Sequence, residues 1–201
     1  MLNQRLAAVL LPFLAFFAAS AHAQFYKIHQ ADLGVNAEGV LGSKTLDRDI
    51  PNTLRNTDTT GFLFSFKEHP VAWAGIEFNY GYAKYSNRYF NAADAPIADI
   101  PATRHEATAA YLFHPHIKHL QPFVGIGGGY LGFVPTAGES QWRGTGLLEA
   151  GLDIPTQNPH LGFRVQGRAF FYREPNFGNP YISTETWTAT PEPSAGVYFR
   201  F

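Results

Sequence analysis

The chain has 201 residues, a formal net charge of −1 at pH 7 and no cysteine, so it has the size of one domain and contains no disulfide. The near-zero charge excludes the basic surface by which nucleic-acid-binding proteins attract phosphate. Charged residues make up 15% of the chain, against about 25% in ordinary soluble domains, while glycine and aromatic residues are plentiful. This composition indicates a chain in contact with lipid.

Residues 1–23 have the pattern of a cleaved secretory signal peptide. Arg5 supplies the positive start, residues 6–19 are almost continuously apolar, and Ala21-His22-Ala23 is a small-x-small cleavage site. The apolar run is shorter than the roughly 18 residues that a spanning helix needs, so an uncleaved anchor is the less favoured alternative. We expect export and a mature domain of residues 24–201.

In the mature domain, apolar and polar residues alternate with a period of two. From Gly75 to Tyr82, the apolar side chains fall on one face and Glu77 and Asn79 on the other. Strict alternation predicts a strand, because a helix would scatter the same apolar residues around its circumference. The pattern predicts eight strands, which contain residues 32–38, 62–67, 75–82, 104–113, 124–130, 147–154, 161–171 and 196–201. Pro191 and Pro193 cannot donate to a ladder, so the eighth strand should be bulged there or begin after Pro193.

Short and long connections alternate between these strands. The short connections are residues 68–70, 114–119 and 155–159. The long connections are residues 43–60, 86–102, 136–143 and 174–185. Short turns at one end and longer loops at the other are typical of a transmembrane barrel. The predicted fold class is therefore all-β, an up-and-down antiparallel barrel of about eight strands with both termini at the turn end.

The composition of the two faces decides which of them meets lipid. A soluble barrel points its apolar face inward, whereas a membrane barrel points it outward. Here the apolar face carries bulky Phe, Tyr, Leu, Ile and Val, and the other face carries glycine and charges of both signs. An outward Arg164 or Arg168 would cost up to roughly 2–4 kcal/mol at the bilayer midplane. We therefore predict a transmembrane barrel with its charges inside.

The predicted inward charges form a network in the lumen. Its members are Glu38, Lys67, Glu77, Arg104, Glu106, Glu149, Arg164 and Arg168, together with Asp32, Asp153 and Arg200. Buried charges are tolerated when they are paired, so the near-balanced signs predict a plugged lumen. Glu149 should lie close to Arg164 or Arg168. A catalytic pair of carboxylates is the less favoured alternative.

Aromatic residues are expected as two girdles at the membrane interfaces. Those predicted near the loop end are Tyr80, Tyr82, Tyr85, Phe133 and Phe171. Those predicted near the turn end are Trp73, Phe113, Phe199 and Phe201. The alternative interpretation is that aromatic residues occur there because they favour strands.

The chain finishes with Val197, Phe199 and Phe201 on one face of the last strand. This pattern resembles the C-terminal signature of outer-membrane barrels, which the barrel assembly machinery reads during biogenesis. Residues 122–130 are also similar to the fifth-strand region of small OmpA/OmpX-type barrels. The resemblance implies a monomeric protein of the Gram-negative outer membrane, in contact with lipid and lipopolysaccharide. It implies a structural or surface-interaction role, and it specifies architecture far better than activity.

Two other functions and a metal site remain open from sequence. The first is an enzyme that modifies lipid A, since deacylases of lipid A carry a His-x-Ser arrangement near the outer end of a late strand. Ser86 and Ser194 have no histidine two residues before them, and His105 has no assigned serine partner. We therefore expect no enzyme. The second is a narrow channel for small solutes. The short turns contain or adjoin His69, His114, His116, His119 and His160. His114-Pro115-His116 with His119 would suit a divalent metal, or these are simply polar turn residues, and we assign neither metal nor cofactor.

Overall fold

A computed structural model describes residues 30–46, 51–115, 117, 121–178 and 186–201, so the predicted signal peptide lies outside the described residues. Within them, no helix is long and apolar enough to cross a membrane. The strands are β1 (Ala31–Val40), β2 (Lys44–Leu46), β3 (Thr53–Asn56), β4 (Thr59–Val71), β5 (Ala74–Phe90), β6 (Pro96–Phe113), β7 (Gln121–Pro135), β8 (Gln141–Pro155), β9 (Leu161–Arg173) and β10 (Trp187–Arg200).

Eight strands close into an antiparallel barrel, as predicted. From β4 to β10 each strand pairs with the next along the chain, and β1 pairs with both β4 and β10. Val35 of β1 therefore lies between Phe64 of β4 and Val197 of β10. Closure gives the long strands ladder partners on both sides and leaves no open sheet edge in the wall.

The two shortest strands lie within the predicted loop 43–60. β2 and β3 form a hairpin in which Thr45 pairs with Leu54. β3 also pairs with the outer part of β5, where Leu54 is opposite Tyr89. The β4–β5 ladder reaches only to the Gly61–Ala83 pair, so β3 continues the wall beyond it.

Most of the predicted loop 86–102 is strand, which corrects that prediction. β5 continues to Phe90 and β6 begins at Pro96, and their ladder extends almost to the tip. The side chain of Asn91 accepts hydrogen bonds from the amides of Ala93 and Ala95, at 2.9 and 3.0 Å, and closes the turn. The predicted turn 68–70 is also wrong by a few residues, because β4 runs through Pro70 with a register shift between Glu68 and Val71.

Strand β10 runs through Pro191 and Pro193 without a break, so the predicted bulge or late start is wrong. The carbonyl of Pro191 accepts a hydrogen bond from the Leu41 amide at 3.1 Å, which places its backbone polar groups on the β1 side. The β1–β10 ladder ends at the Glu38–Ser194 pair, before either proline. The prolines therefore lie where that ladder has ended, and the pairing with β9 does not need their amides.

The two faces of the wall have the predicted polarity. Val35, Phe64 and Ile126 have 49%, 50% and 65% of their surface exposed, and these apolar side chains lie on the outside. Glu77 and Asn79 are buried, whereas Ile76 between Gly75 and Glu77 faces outward. Apolar groups therefore surround a polar interior, the reverse of a soluble barrel.

Most of the apolar core lies towards the loop end of the interior, where it contains Tyr85, Leu131, Phe133, Leu147, Phe170, Tyr172 and Phe177. Leu112 and Phe123 of the same core lie towards the turn end. Tyr85 and Phe133 were predicted on the outer girdle, and this is wrong because each shares its face with inward residues of its strand. The other predicted girdle residues are exposed or half-buried.

Candidate functional site

The eight predicted lumen residues are all buried, and Asp32 and Asp153 are buried with them. They separate into two groups along the barrel axis. The inner cluster, towards the turn end, consists of Asp32, Lys67, Glu77, Asp153 and Arg164. The outer cluster, towards the loop end, consists of Glu38, Arg104, Glu106, Arg168 and Glu192.

Arg164 and Lys67 hold the inner cluster together. The guanidinium of Arg164 donates two hydrogen bonds to Asp153, at 2.6 and 3.0 Å, and a third to Asp32 at 3.3 Å. The Lys67 ammonium lies 3.4 Å from the Glu77 carboxylate and 3.3 Å from that of Asp153. The same ammonium lies 3.7 Å from the centre of the inward Phe123 ring, in cation–π geometry.

Arg200 completes the inner cluster at the mouth. Its guanidinium donates to both oxygens of Asp32, at 2.7 and 3.0 Å. With Arg200 included, three carboxylates face three cations. Burial of these charges is therefore compensated by pairing.

Arg168 is the centre of the outer cluster. Its guanidinium donates to Glu38 and Glu106, and also to Glu192 at 3.1 Å. Arg104 also contacts Glu106 and Glu192. Oxygens of the three carboxylates lie within 4.8 Å of one another, a spacing that would suit a metal ion. Because the arginine already contacts all three, we interpret this cluster as an ion-pair network.

Glu149 lies between the two clusters and belongs to neither. It is directly opposite Arg168 in the β8–β9 register, so the predicted closeness is present in the backbone. Neither carboxylate oxygen has a hydrogen-bond partner within the described part of the chain. Arg168 extends away from it towards the outer cluster.

Sequence reasoning missed Glu192, which lies between the two prolines of β10. The expected bulge or late start of that strand left it out of the predicted network. Its position offered a usable signal, because it shares the inward parity of Ser194 and Tyr198 on the same strand.

Solved structures of other proteins have a similar fold. No family profile and no curated protein matches the chain. The outer membrane protein OprG from Pseudomonas aeruginosa aligns with 86% of this chain and 95% of its own, at 14% identity and a TM-score of 0.60. Neisserial surface protein A aligns with 86% of this chain and 97% of its own, at 14% identity and a TM-score of 0.54.

The chain has the fold of a small outer-membrane β-barrel. At these identities the likeness concerns the fold alone, and the finer assignment to OmpA/OmpX-type barrels stays a prediction.

Glu174 anchors the loop end of this barrel. It follows β9 and is fully buried, and it accepts hydrogen bonds from Asn56 at 3.1 Å and Ser43 at 3.3 Å. Burial raises the pKa of Glu174 to about 7. The carboxyl group therefore ties the β2–β3 hairpin to the barrel rim, across the interior.

A cleft outside the lumen separates the β2–β3 hairpin from the tip of the β5–β6 hairpin. It has a volume of about 480 Å³. Lys44, Arg55, Asn91 and Asp94 line it, and Arg55 bonds Asp94 at 2.6 Å. A polar cleft on anchored hairpins can contact polar groups of an external partner.

Proposed function

We propose that this barrel is an integral protein of the bacterial outer membrane with a structural or surface-interaction role. The observation that carries the proposal is the continuous apolar exterior around a charged interior. Such an exterior suits acyl chains, and a closed ladder leaves no unpaired backbone group in lipid. Lipid and lipopolysaccharide would then surround the wall of a monomer. Val197, Phe199 and Phe201, exposed on the last strand, would be read by the barrel assembly machinery.

The lumen in this proposal is plugged and does not conduct. Two ion-pair clusters follow one another along its axis, and buried apolar side chains pack against them and fill the loop end. Moving an ion through would require separation of buried pairs such as Arg164–Asp153, which is costly when a partner is left unpaired. These contacts support a mechanical role over the alternative of a narrow channel.

The surface for interaction would be the outer hairpins. The β5–β6 ladder gives its tip a rigid support, and Glu174 fixes the β2–β3 hairpin beside it. Preformed loops bind with less loss of conformational entropy than flexible ones.

We propose no catalytic role. His105 forms a 2.9 Å hydrogen bond with the Tyr80 hydroxyl and packs against the Tyr82 ring. Among the described residues these contacts are with tyrosines and not with a serine that His105 could activate, which disfavours a lipid A acyl hydrolase. Mass spectrometry of lipid A from cells with and without the gene should show the same acyl pattern.

Purified protein in planar lipid bilayers tests the plugged lumen, and steady open-channel currents would overturn it. The surface role is tested with bacteria that display either the intact barrel or a variant with residues 91–95 replaced by a two-residue Asn-Gly turn. We expect the variant to fold, as shown by heat-modifiable migration, and to lose adhesion to a glycan-coated or cell-coated surface. Equal adhesion would count against a role for this hairpin.

A further inference from the structure

Two histidines meet at the turn-end mouth of the lumen. His69 lies near the end of β4 and His114 directly follows β6, and their ring centroids are 4.8 Å apart. Both main chains are fixed, because the His69 amide donates to Gln30 at 2.9 Å and the His114 amide to Trp73 at 2.8 Å. The pair is therefore built by the strand pairing of the wall.

One ring nitrogen from each histidine lies beside Gly75 of β5. A Cβ atom at Gly75 would lie 3.3 Å from Nε2 of His114 and 3.6 Å from Nδ1 of His69. The same Cβ atom would lie 3.1 Å from the Glu68 carbonyl oxygen, so the glycine lets both imidazole nitrogens lie close to the backbone of β5. Nε2 of His114 is buried without a hydrogen-bond partner in the described chain. A buried polar atom of this kind calls for an explanation.

The ring spacing suits a shared metal ion. Two imidazoles that bind one ion through nitrogen–metal bonds of about 2.0–2.1 Å have centroids roughly 4.5–5.5 Å apart. The observed separation of 4.8 Å lies within this range.

Asp32 contacts His69 in the way that a carboxylate contacts a metal-binding histidine in many proteins. The Nε2 atom of His69 lies 3.3 Å from the Asp32 carboxylate, which leaves Nδ1 facing Gly75. A carboxylate bonded to the second ring nitrogen fixes the tautomer and makes the ligand nitrogen more basic. Asp32 and Asp153 also offset the positive charges of Lys67 and Arg164 nearby.

We propose that His69 and His114 bind a single divalent transition-metal ion of the zinc or copper class at the periplasmic mouth of the barrel. Water would complete its coordination. Nitrogen donors favour such ions over magnesium and calcium, which prefer oxygen. The mouth position gives the ion a route from solvent, since 12% of the His69 side chain is exposed.

The test uses untagged protein refolded in detergent. Zinc binding is measured by isothermal titration calorimetry, and copper(II) binding by electron paramagnetic resonance, which detects nitrogen ligands. We expect one ion per chain, and affinity losses of at least about tenfold in His69→Gln and in His114→Gln. His160→Gln is the matched control: this exposed histidine lies at the same end and stacks on Phe199, and its loss should change nothing.

Further variants separate this site from misfolding and from the predicted ligands His116 and His119, which lie outside the described residues. The double variant His116→Gln/His119→Gln should keep the affinity of the unmodified chain. Gly75→Ala should weaken binding with both histidines intact, and heat-modifiable migration identifies variants that form a barrel. The proposal is overturned if the unmodified protein shows no saturable binding, if folded His69→Gln and His114→Gln bind normally, or if only the 116/119 double variant loses the ion.

Discussion

Glu149 and Arg168 face each other across the β8–β9 ladder without forming an ion pair. Arg168 instead forms ion pairs with Glu38, Glu106 and Glu192 of the outer cluster. Glu149 therefore keeps a buried carboxylate that no cation contacts among the described residues. Glu106 differs from Glu149 because it accepts a hydrogen bond from Arg168 and forms an ion pair with Arg104.

This contrast predicts opposite effects of the same substitution. Glu149→Gln removes the cost of burying a carboxyl group that has no hydrogen-bond partner among the described residues, so it should raise the free energy of unfolding by about 1 kcal/mol or more. Glu106→Gln takes a carboxylate away from Arg168 while Glu38 and Glu192 still pair with that guanidinium, so it should lower the free energy of unfolding by about 1.5–3 kcal/mol, as the loss of a hydrogen bond to a charged group does. Urea unfolding in lipid vesicles, followed by tryptophan fluorescence, measures both. Destabilisation by Glu149→Gln as large as that by Glu106→Gln would mean that Glu149 has a stabilising partner.

Alternation alone was sufficient to predict the wall and the burial of residues such as Glu77. It was insufficient for β2, because a three-residue strand is too short to show a period. Phe133 was misplaced because aromatic character indicates a girdle only where the parity of the strand points outward. Glu192 was missed because the effect of a proline on a strand depends on which neighbour the missing amide faces. Partner choice in the lumen depends on rotamers of long side chains such as Arg168, which no periodicity specifies.

Glu174 predicts a pH dependence at the loop end. Burial raises the pKa of Glu174 from 4.5 to about 7, so the folded state binds this proton more tightly than the unfolded state. The contribution of Glu174 to the free energy of unfolding is fully present below pH 4.5. It falls as pH rises through 7, and the total loss is at most roughly 3 kcal/mol. The titratable neighbours are Tyr85, Tyr89, Tyr172 and Arg104, and none of them is expected to change charge in this window.

Hydrogen exchange measures this effect locally. The Asn56 amide donates to the Ser43 carbonyl at 3.0 Å, so its protection reports on the anchored hairpin. Its protection factor, normalised for the intrinsic exchange rate, should fall between pH 5 and pH 8. Glu174→Gln cannot ionise and should show no such fall. A fall of the same size in both proteins would assign the effect to another group.

Gly129 of β7 is predicted to be irreplaceable for steric reasons. A Cβ atom there would overlap the Ala107 carbonyl oxygen and lie 2.7 Å from Cα of Thr108, both in the backbone of β6. Because backbone atoms cannot move aside without breaking the ladder, Gly129→Ala should cost several kcal/mol, as overpacking does at its worst. Gly146 on the neighbouring β8 has no described atom within 4 Å of the place that a methyl group would occupy, so Gly146→Ala is the control and should refold normally. The yield of heat-modifiable barrel compares them, and equal yields would refute the steric argument.

Phe64 tests whether the exterior faces lipid or water. It lies in the middle of β4, half exposed, between Val35 and Tyr80 on the neighbouring strands. In a bilayer, Phe64→Arg should lower the free energy of unfolding by about 2–4 kcal/mol, because the charge lies near the midplane. Leu46→Arg is the matched control, since Leu46 is 65% exposed on the β2–β3 hairpin at the loop end, beyond the β4–β5 ladder, and its replacement should cost little. Reversible urea unfolding in phospholipid vesicles gives both values. If the two substitutions have equally small effects, the apolar surface meets water and the proposed membrane location is wrong.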